Sequence, residues 1–291
     1  NSPISLLVKE SSKADQYLFQ TNYIDKIIKL ERDDKINGRH NGFLGSYNLI
    51  NDLRKYKFDK IFIFNSSLRF NLIARLSKIP EIYQYPLFKK YEQHITNVPK
   101  KFVKDVINVE INEDPEIQID NKTVQEVTQK FKIDKNELNI LLGIGGSGPT
   151  KRIPSKTFLE VIDKILKIKK SKFFLATGKN AEEQIILNEI LGSKFKNFCF
   201  PLDNFLIKET LPIIKNCDFS ICNDSSFSHL SAALGIKTIT LMADTPLIYG
   251  NYNSKMFPII PDGEITVGHD TLGKEKINPQ KILNKVIEIL N

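Results

Sequence analysis

Leu138-Asn-Ile-Leu-Leu-Gly143-Ile-Gly-Gly-Ser-Gly148-Pro-Thr-Lys-Arg152-Ile-Pro154 decides how the rest of the chain is read. The run at 138–143 is short and almost wholly aliphatic, which predicts a strand buried on both faces, as in parallel sheets. A Gly-rich turn follows it. Pro149 and Pro154 keep the next helix from opening before Ser155. Strand, turn and helix in this order form the first half of a βαβ unit.

Downstream the alternation continues. Helices are predicted at 155–168, 181–191, 208–215, 227–234 and 279–290, and strands at 173–176, 218–222 and 238–242. Upstream, apolar runs at 4–8 and 24–30 flank a helical stretch at 12–19. Residues 43–56 carry a helix-like stripe of Phe43, Leu44, Tyr47, Leu49, Ile50 and Leu53. A buried strand is predicted at 60–64. Ser67 can cap the helix after it, which runs to about 77, and 82–85 is a further strand. Residues 95–120, charged and carrying Pro99 and Pro115, read as the inter-domain region. A helix at 123–132 follows, with Val124, Val127 and Phe131 on one face. Strands alternating with helices imply parallel sheets, so the fold class is α/β with two doubly wound domains, at 1–130 and 131–291. Ligands of such folds sit outside the carboxyl ends of the strands.

Composition agrees. A chain of 291 residues, 41% apolar and 26% charged, suits two globular domains. Its longest apolar runs are strand-sized, well short of the ~20 residues of a spanning helix. The three cysteines, Cys199, Cys217 and Cys222, lack metal-ligand spacing and read as reduced core residues, which implies a cytoplasmic location. The net charge of +8 is scattered along helix faces. It points to solvated surfaces, with contact to an anionic membrane or a phosphorylated acceptor as the other reading, and not to nucleic acid. The chain opens on Asn1 rather than Met, which leaves room for an upstream segment.

Two motifs carry chemistry. Residues 143–148 match G-x-G-x-x-G, but the third Gly does not open a helix and the next strand ends on Ala176-Thr-Gly178 without the acidic ribose partner, so a dinucleotide fingerprint is excluded. Pro149 after Gly148 excludes a P-loop. What remains is a glycine turn, with Gly146 and Ser147, that presents Thr150, Lys151 and Arg152. Backbone N–H groups, one hydroxyl and two cations suit a diphosphate. Glycines that merely turn the chain beside solvated cations are the plainer reading.

The second motif is Cys222-Asn-Asp-Ser-Ser-Phe-Ser-His-Leu-Ser-Ala-Ala-Leu-Gly235. An apolar strand ends at Asn223-Asp224, and small polar residues open a helix whose first turn has free N–H groups and a positive dipole end. That is an anion site. Ser225 or Ser226 can cap the helix, and His229 falls close to a bound phosphate. Alone, Asp224 reads equally as a cap and His229 as a core residue. Two anion-friendly loops at neighbouring strand ends describe a diphosphate cradle.

At these residues the sequence resembles glycosyltransferase family 9, the heptosyltransferases of lipopolysaccharide core synthesis. The likeness is carried by the Lys151 loop, by the stretch at 178–183, by Asn223-Asp224-Ser225 through His229-Leu230 to Leu234-Gly235, and by Thr245-Pro246. The N-terminal half is similar mainly at 58–64 and 69–76. The resemblance implies a GT-B fold, two doubly wound Rossmann-like domains facing a cleft, that transfers a sugar from a nucleotide-diphosphate donor such as ADP-heptose to a lipopolysaccharide-core or related glycan or glycolipid acceptor. It implies that Thr150 and Lys151 meet the diphosphate, Glu182 or the equally placed Glu183 the ribose, and Asp224, Ser225 and His229 the phosphate-sugar region. Ser67 and Arg69 fall on the acceptor side. Ser226 stands where the family has Gly and Lys237 where it often has Pro. The family's first strand, with the loop that carries the catalytic base, is expected upstream of Asn1, so no base is named. No D-x-D metal motif occurs, and neither a metal nor a cofactor is expected. A GT-B epimerase of nucleotide-sugars and a non-catalytic nucleotide-sugar-binding protein are the alternative readings.

Overall fold

Every residue of Leu138–Gly143 is buried, and its side chains divide by the period of two that a pleated strand imposes. Leu138, Ile140 and Leu142 join one core, and Leu141 joins the other. The computed structural model describes residues 3–33, 38–86 and 95–291.

In chain order the elements are β1 (Ser5–Lys9), α1 (Ala14–Tyr17), β2 (Lys26–Leu30), α2 (Gly42–Tyr56), β3 (Lys60–Ile63), α3 (Leu68–Leu76), β4 (Glu81–Gln84), α4 (Asn97–Ile107) and α5 (Asn121–Lys130). There follow β5 (Leu138–Gly143), α6 (Ser155–Leu166), β6 (Ser171–Ala176), α7 (Ala181–Leu191), β7 (Cys199–Pro201), α8 (Ile207–Lys215), β8 (Phe219–Asn223), α9 (Ser226–Ala233), β9 (Lys237–Leu241), β10 (Met256–Ile259) and α10 (Pro279–Leu290). Two compact units result. The first is Asn1–Asp15 with Thr21–Glu113, and the second is Gln16–Gln20 with Asp114–Asn291.

In the first unit, among the described residues, β1 pairs with β2 and β3 with β4, both parallel. Leu30 of β2, Leu49, Ile50 and Leu53 of α2 and Ile73 of α3 form one core cluster. Side chains spaced three and four apart on α2 make that stripe.

The second unit is built on a six-stranded sheet of order β10-β9-β8-β5-β6-β7, parallel throughout. The chain leaves β5 toward β6 and β7, then returns to the other side of β5 for β8, β9 and β10. The order therefore reverses between β5 and β8, and ligands of open α/β sheets sit outside the carboxyl ends of the strands at such a switch point. Side chains of α6, α7 and α10 pack on one face of the sheet and those of α8 and α9 on the other. Phe158, Phe173, Phe174 and Phe219 are fully buried there, each contributing roughly 1.5–3 kcal/mol of transfer free energy. The short 16–20 segment is held to this unit by Gln16, whose Oε1 accepts the Ile207 N–H at 3.0 Å, and by Gln20, whose Oε1 accepts the Asp120 N–H at 2.8 Å.

Three elements differ from expectation. Asn97–Ile107 is a helix inside the stretch read as inter-domain. Pro99 is its third residue, where the missing N–H has no intrahelical partner to lose. The strands Cys199–Pro201 and Met256–Ile259 were not anticipated. Both are sheet edges that carry a proline, which edges tolerate. Among the described residues no helix is long and apolar enough to cross a membrane.

Candidate functional site

The loop after β5 is folded onto the first turn of α7. A Cβ on Gly145 would lie 2.5 Å from Glu183 Oε1 and 3.1 Å from Thr177 Cα, so only a glycine allows this approach. The buried Glu183 carboxylate accepts the Gly146 N–H at 2.7 Å, close to the positive end of α7, which favours an anion. Arg152 closes the loop from its other end. Its Nε donates to the Gly146 carbonyl at 2.8 Å, and its Nη1 pairs with the exposed Glu182.

The two acidic neighbours at the start of α7 thus part company. Glu183 is a buried brace and Glu182 the outward partner of Arg152. The glycine turn also keeps fewer free donors than its sequence suggests, since both backbone groups of Gly146 are engaged. Ser147 is exposed at its tip.

The corner after β8 meets this loop at the switch point of the sheet. Fully buried Asn223 donates through Nδ2 to the carbonyls of Ile144 at 2.9 Å and Gly145 at 3.2 Å, joining the ends of β8 and β5. Asp224, 5% exposed, accepts the Lys151 ammonium at 2.8 Å. His229 Nε2 lies 3.9 Å from the other carboxylate oxygen. Burial holds the pKa of His229 below its ordinary value, Asp224 works the other way, and Lys151 adds to the lowering. Its imidazole is therefore neutral at physiological pH. On the far side of the ring, Nδ1 is 2.6 Å from the Tyr252 hydroxyl.

The anticipated hydroxyl cap on α9 is absent. Ser225 occupies the N-cap position without a side-chain cap bond, and its carbonyl instead accepts the Ser228 N–H and Oγ–H. The Ser225 side chain thus leaves the first N–H groups of the helix uncapped, and such groups at a positive helix end suit an anion. Among the described residues, Ser225 Oγ, Asn223 Oδ1, Thr177 Oγ1 and Thr245 Oγ1 are buried without a hydrogen-bond partner. They lie at or just past the carboxyl ends of β8, β6 and β9. A buried polar group left unpaired costs about 1–3 kcal/mol, a cost borne here by residues that end or follow three neighbouring strands.

On the same rim Thr150 hydrogen-bonds to Asp244. Burial works against the Asp244 carboxylate, yet the Leu272 N–H, donating at 2.8 Å, and the Thr150 hydroxyl bring its pKa below the usual value. The structure thus gathers Lys151, Asp224 and His229 in one constellation and Arg152 with Glu182 in a second, while Thr150 is turned toward Asp244.

Ser67 and Arg69 belong to the first unit. Ser67 stands at the N-cap of α3 without a side-chain cap bond. Arg69 donates to Ser46 Oγ at 3.0 Å and to the His40 carbonyl at 2.7 Å, tying α3 to the start of α2. Tyr252, Asp244 and Thr177 escaped the sequence reading. Thr177 follows a strand and Asp244 precedes Thr245-Pro246, but nothing in their spacing links them to Lys151 or to the Asn223 corner, which only the fold brings near.

Residues 82–259 match the profile of glycosyltransferase family 9 (heptosyltransferase). Lipopolysaccharide heptosyltransferase 1 of Campylobacter coli is 30% identical over 150 residues, which are 50% of this chain and 43% of that protein. Lipooligosaccharide heptosyltransferase 2 of Campylobacter jejuni is 27% identical over 271 residues, 88% of this chain and 81% of its own length. The solved structure of E. coli ADP-heptose lipopolysaccharide heptosyltransferase II superposes with a TM-score of 0.74 at 16% identity, covering 99% of this chain and 89% of that one. The shared architecture is the GT-B fold.

Proposed function

Because the chain belongs to glycosyltransferase family 9, the heptosyltransferases, we propose that its second unit seats the diphosphate of an ADP-heptose-type donor between the Lys151 loop and the N-terminus of α9. The sugar passes to a hydroxyl of a lipopolysaccharide-core glycan. The observation that carries the donor site is the 2.8 Å ion pair of Lys151 with buried Asp224 at the point where the strand order reverses. A cation held there by its own carboxylate needs no reorganisation when charge develops beside it.

As the bond from the sugar's anomeric carbon to the β-phosphate oxygen breaks, its electron pair leaves with the nucleoside diphosphate. Lys151, Arg152, the positive end of α9 and the N–H of neutral His229 receive that charge. The acceptor oxygen gives up its proton to a base and closes on the anomeric carbon. These groups stabilise the leaving diphosphate without a metal. The names of the relatives favour transfer over epimerisation or simple nucleotide-sugar binding. We place the reaction in the cytoplasm at the inner face of the membrane, where a chain of net charge +8 is drawn to anionic lipid around a glycolipid acceptor.

Calorimetric titration of ADP and ADP-heptose into wild type and Lys151→Ala tests the donor site. Loss of one charge-assisted contact weakens binding by about tenfold or more. Equal affinity in the two proteins, or no binding to wild type, sinks the assignment. Donor consumption that does not depend on added acceptor glycan shifts the reading to epimerisation.

A further inference from the structure

Resting on the donor-site reading above, we propose that Tyr252 is a positioning residue: its phenol O–H donates to Nδ1 of His229 and fixes the imidazole as the tautomer whose Nε2–H is turned toward Asp224 and the donor diphosphate. The hydroxyl lies 2.6 Å from Nδ1. The two ring planes are inclined by 20°, with centroids 5.5 Å apart.

The direction of the bond follows from what flanks the imidazole. A carboxylate is acceptor-only, and Asp224 Oδ1 lies 3.9 Å from Nε2. Protonated Nε2 offers that carboxylate an N–H, whereas unprotonated Nε2 would present a lone pair to a negative charge. The proton therefore belongs on Nε2, Nδ1 is the acceptor, and the phenol is the donor. Burial first, and then the Asp224 charge, push the Tyr252 pKa up to about 12, so the phenol keeps the proton that it donates.

Tyr252 is itself held on both sides. Two residues before it, Gly250 packs so closely that a Cβ would sit 2.3 Å from Met242 Sδ, and its N–H donates to the Leu247 carbonyl at 2.9 Å. One residue after it, buried Asn253 accepts the Lys255 N–H at 2.8 Å through its side chain and the Met256 N–H at 2.9 Å through its carbonyl. A ring fixed between two such anchors can set the orientation of a half-exposed histidine, in the way that outer-shell partners fix histidines that ligate metals.

Tyr252→Phe keeps the ring stack and removes only the O–H. Nitrogen-15 spectra of histidine-labelled protein report the tautomer, with the His229 signals assigned by their loss in His229→Gln. The wild type is expected to carry the proton on Nε2, and Tyr252→Phe to show a mixture of tautomers and an ADP dissociation constant raised about tenfold at unchanged melting temperature. In the His229→Gln background, Tyr252→Phe should have no further effect on ADP affinity. A wild-type proton on Nδ1, an unchanged tautomer and affinity in Tyr252→Phe, or the same tenfold loss without His229 overturns the proposal. A wild type that binds no ADP overturns the donor-site reading instead, and the nitrogen spectrum still decides whether Tyr252 sets the tautomer.

Discussion

Gly145→Ala should damage this protein and Gly148→Ala should not, although both belong to one glycine-rich motif. Neither glycine has a positive φ, so the difference lies in space alone. At 145 the new methyl would meet Glu183 Oε1 at 2.5 Å, Thr177 Cα at 3.1 Å and Thr177 Oγ1 at 3.1 Å, whereas at 148 the nearest atom is Thr150 Oγ1 at 3.9 Å. The Glu183 side chain cannot swing aside freely, because it is buried and accepts the Gly146 N–H at 2.7 Å. Displacing it breaks a charge-assisted hydrogen bond of about 1.5–3 kcal/mol, partly offset by the ~0.4–1 kcal/mol that alanine contributes by restricting the unfolded chain. The net loss is about 1–2 kcal/mol. With a urea slope of ~2 kcal/mol/M, the midpoint of the second unit's unfolding falls by about 0.5–1 M, and ADP affinity falls with it as the loop moves. Urea melts followed by tyrosine fluorescence and calorimetry with ADP check both effects. Equal stability and affinity in Gly145→Ala and wild type, or equal damage in Gly148→Ala, would refute the brace assigned to Glu183.

Arg152→Lys should bind ADP as poorly as Arg152→Ala, since one ammonium cannot reproduce a planar group that donates to the Gly146 carbonyl while pairing with Glu182; recovery of affinity in calorimetry contradicts this. His229 contributes a pH dependence with a definite sign. Its folded pKa is depressed, so the unfolded chain binds the proton first as pH falls below about 6.5. Stability is then fully present above that value and is lost as pH falls toward the folded pKa. Urea midpoints between pH 7.5 and 5 should show a slope that is smaller in His229→Gln, and an identical slope in that variant counts against a partly buried, neutral imidazole.

The second unit was legible because its strands are buried on both faces. A parallel strand covered by helices must be apolar throughout, so Leu138–Gly143 reads as an unbroken run, and the helices Ala181–Leu191 and Pro279–Leu290 have the ends that the sequence predicts. Asn180 and Asn278 cap these two helices, each accepting a backbone N–H. Edge strands carry no such signal. Cys199–Pro201 has three residues and Met256–Ile259 includes a proline, and each takes its conformation from a neighbour in the sheet rather than from its own pattern. At the site, the residue types were readable but their pairings were not. Lys151 and Asp224 are 73 positions apart, and no spacing rule links them until β5 and β8 lie side by side.

The same distinction separates Glu182 from Glu183. Adjacent in sequence and chemically identical, they differ because a helix turns its side chains by about 100° per residue. One carboxylate faces the glycine loop and is sealed under it, and the other faces Arg152 and solvent. A sealed carboxylate whose acceptor sites are taken by Gly146 and Asn180 has little capacity left for a ribose hydroxyl. Glu182 is two-thirds exposed and pairs with the Arg152 guanidinium. Glu183 holds the loop that ends in Lys151, the partner of Asp224, and Glu182 keeps its carboxylate on the outside of that loop.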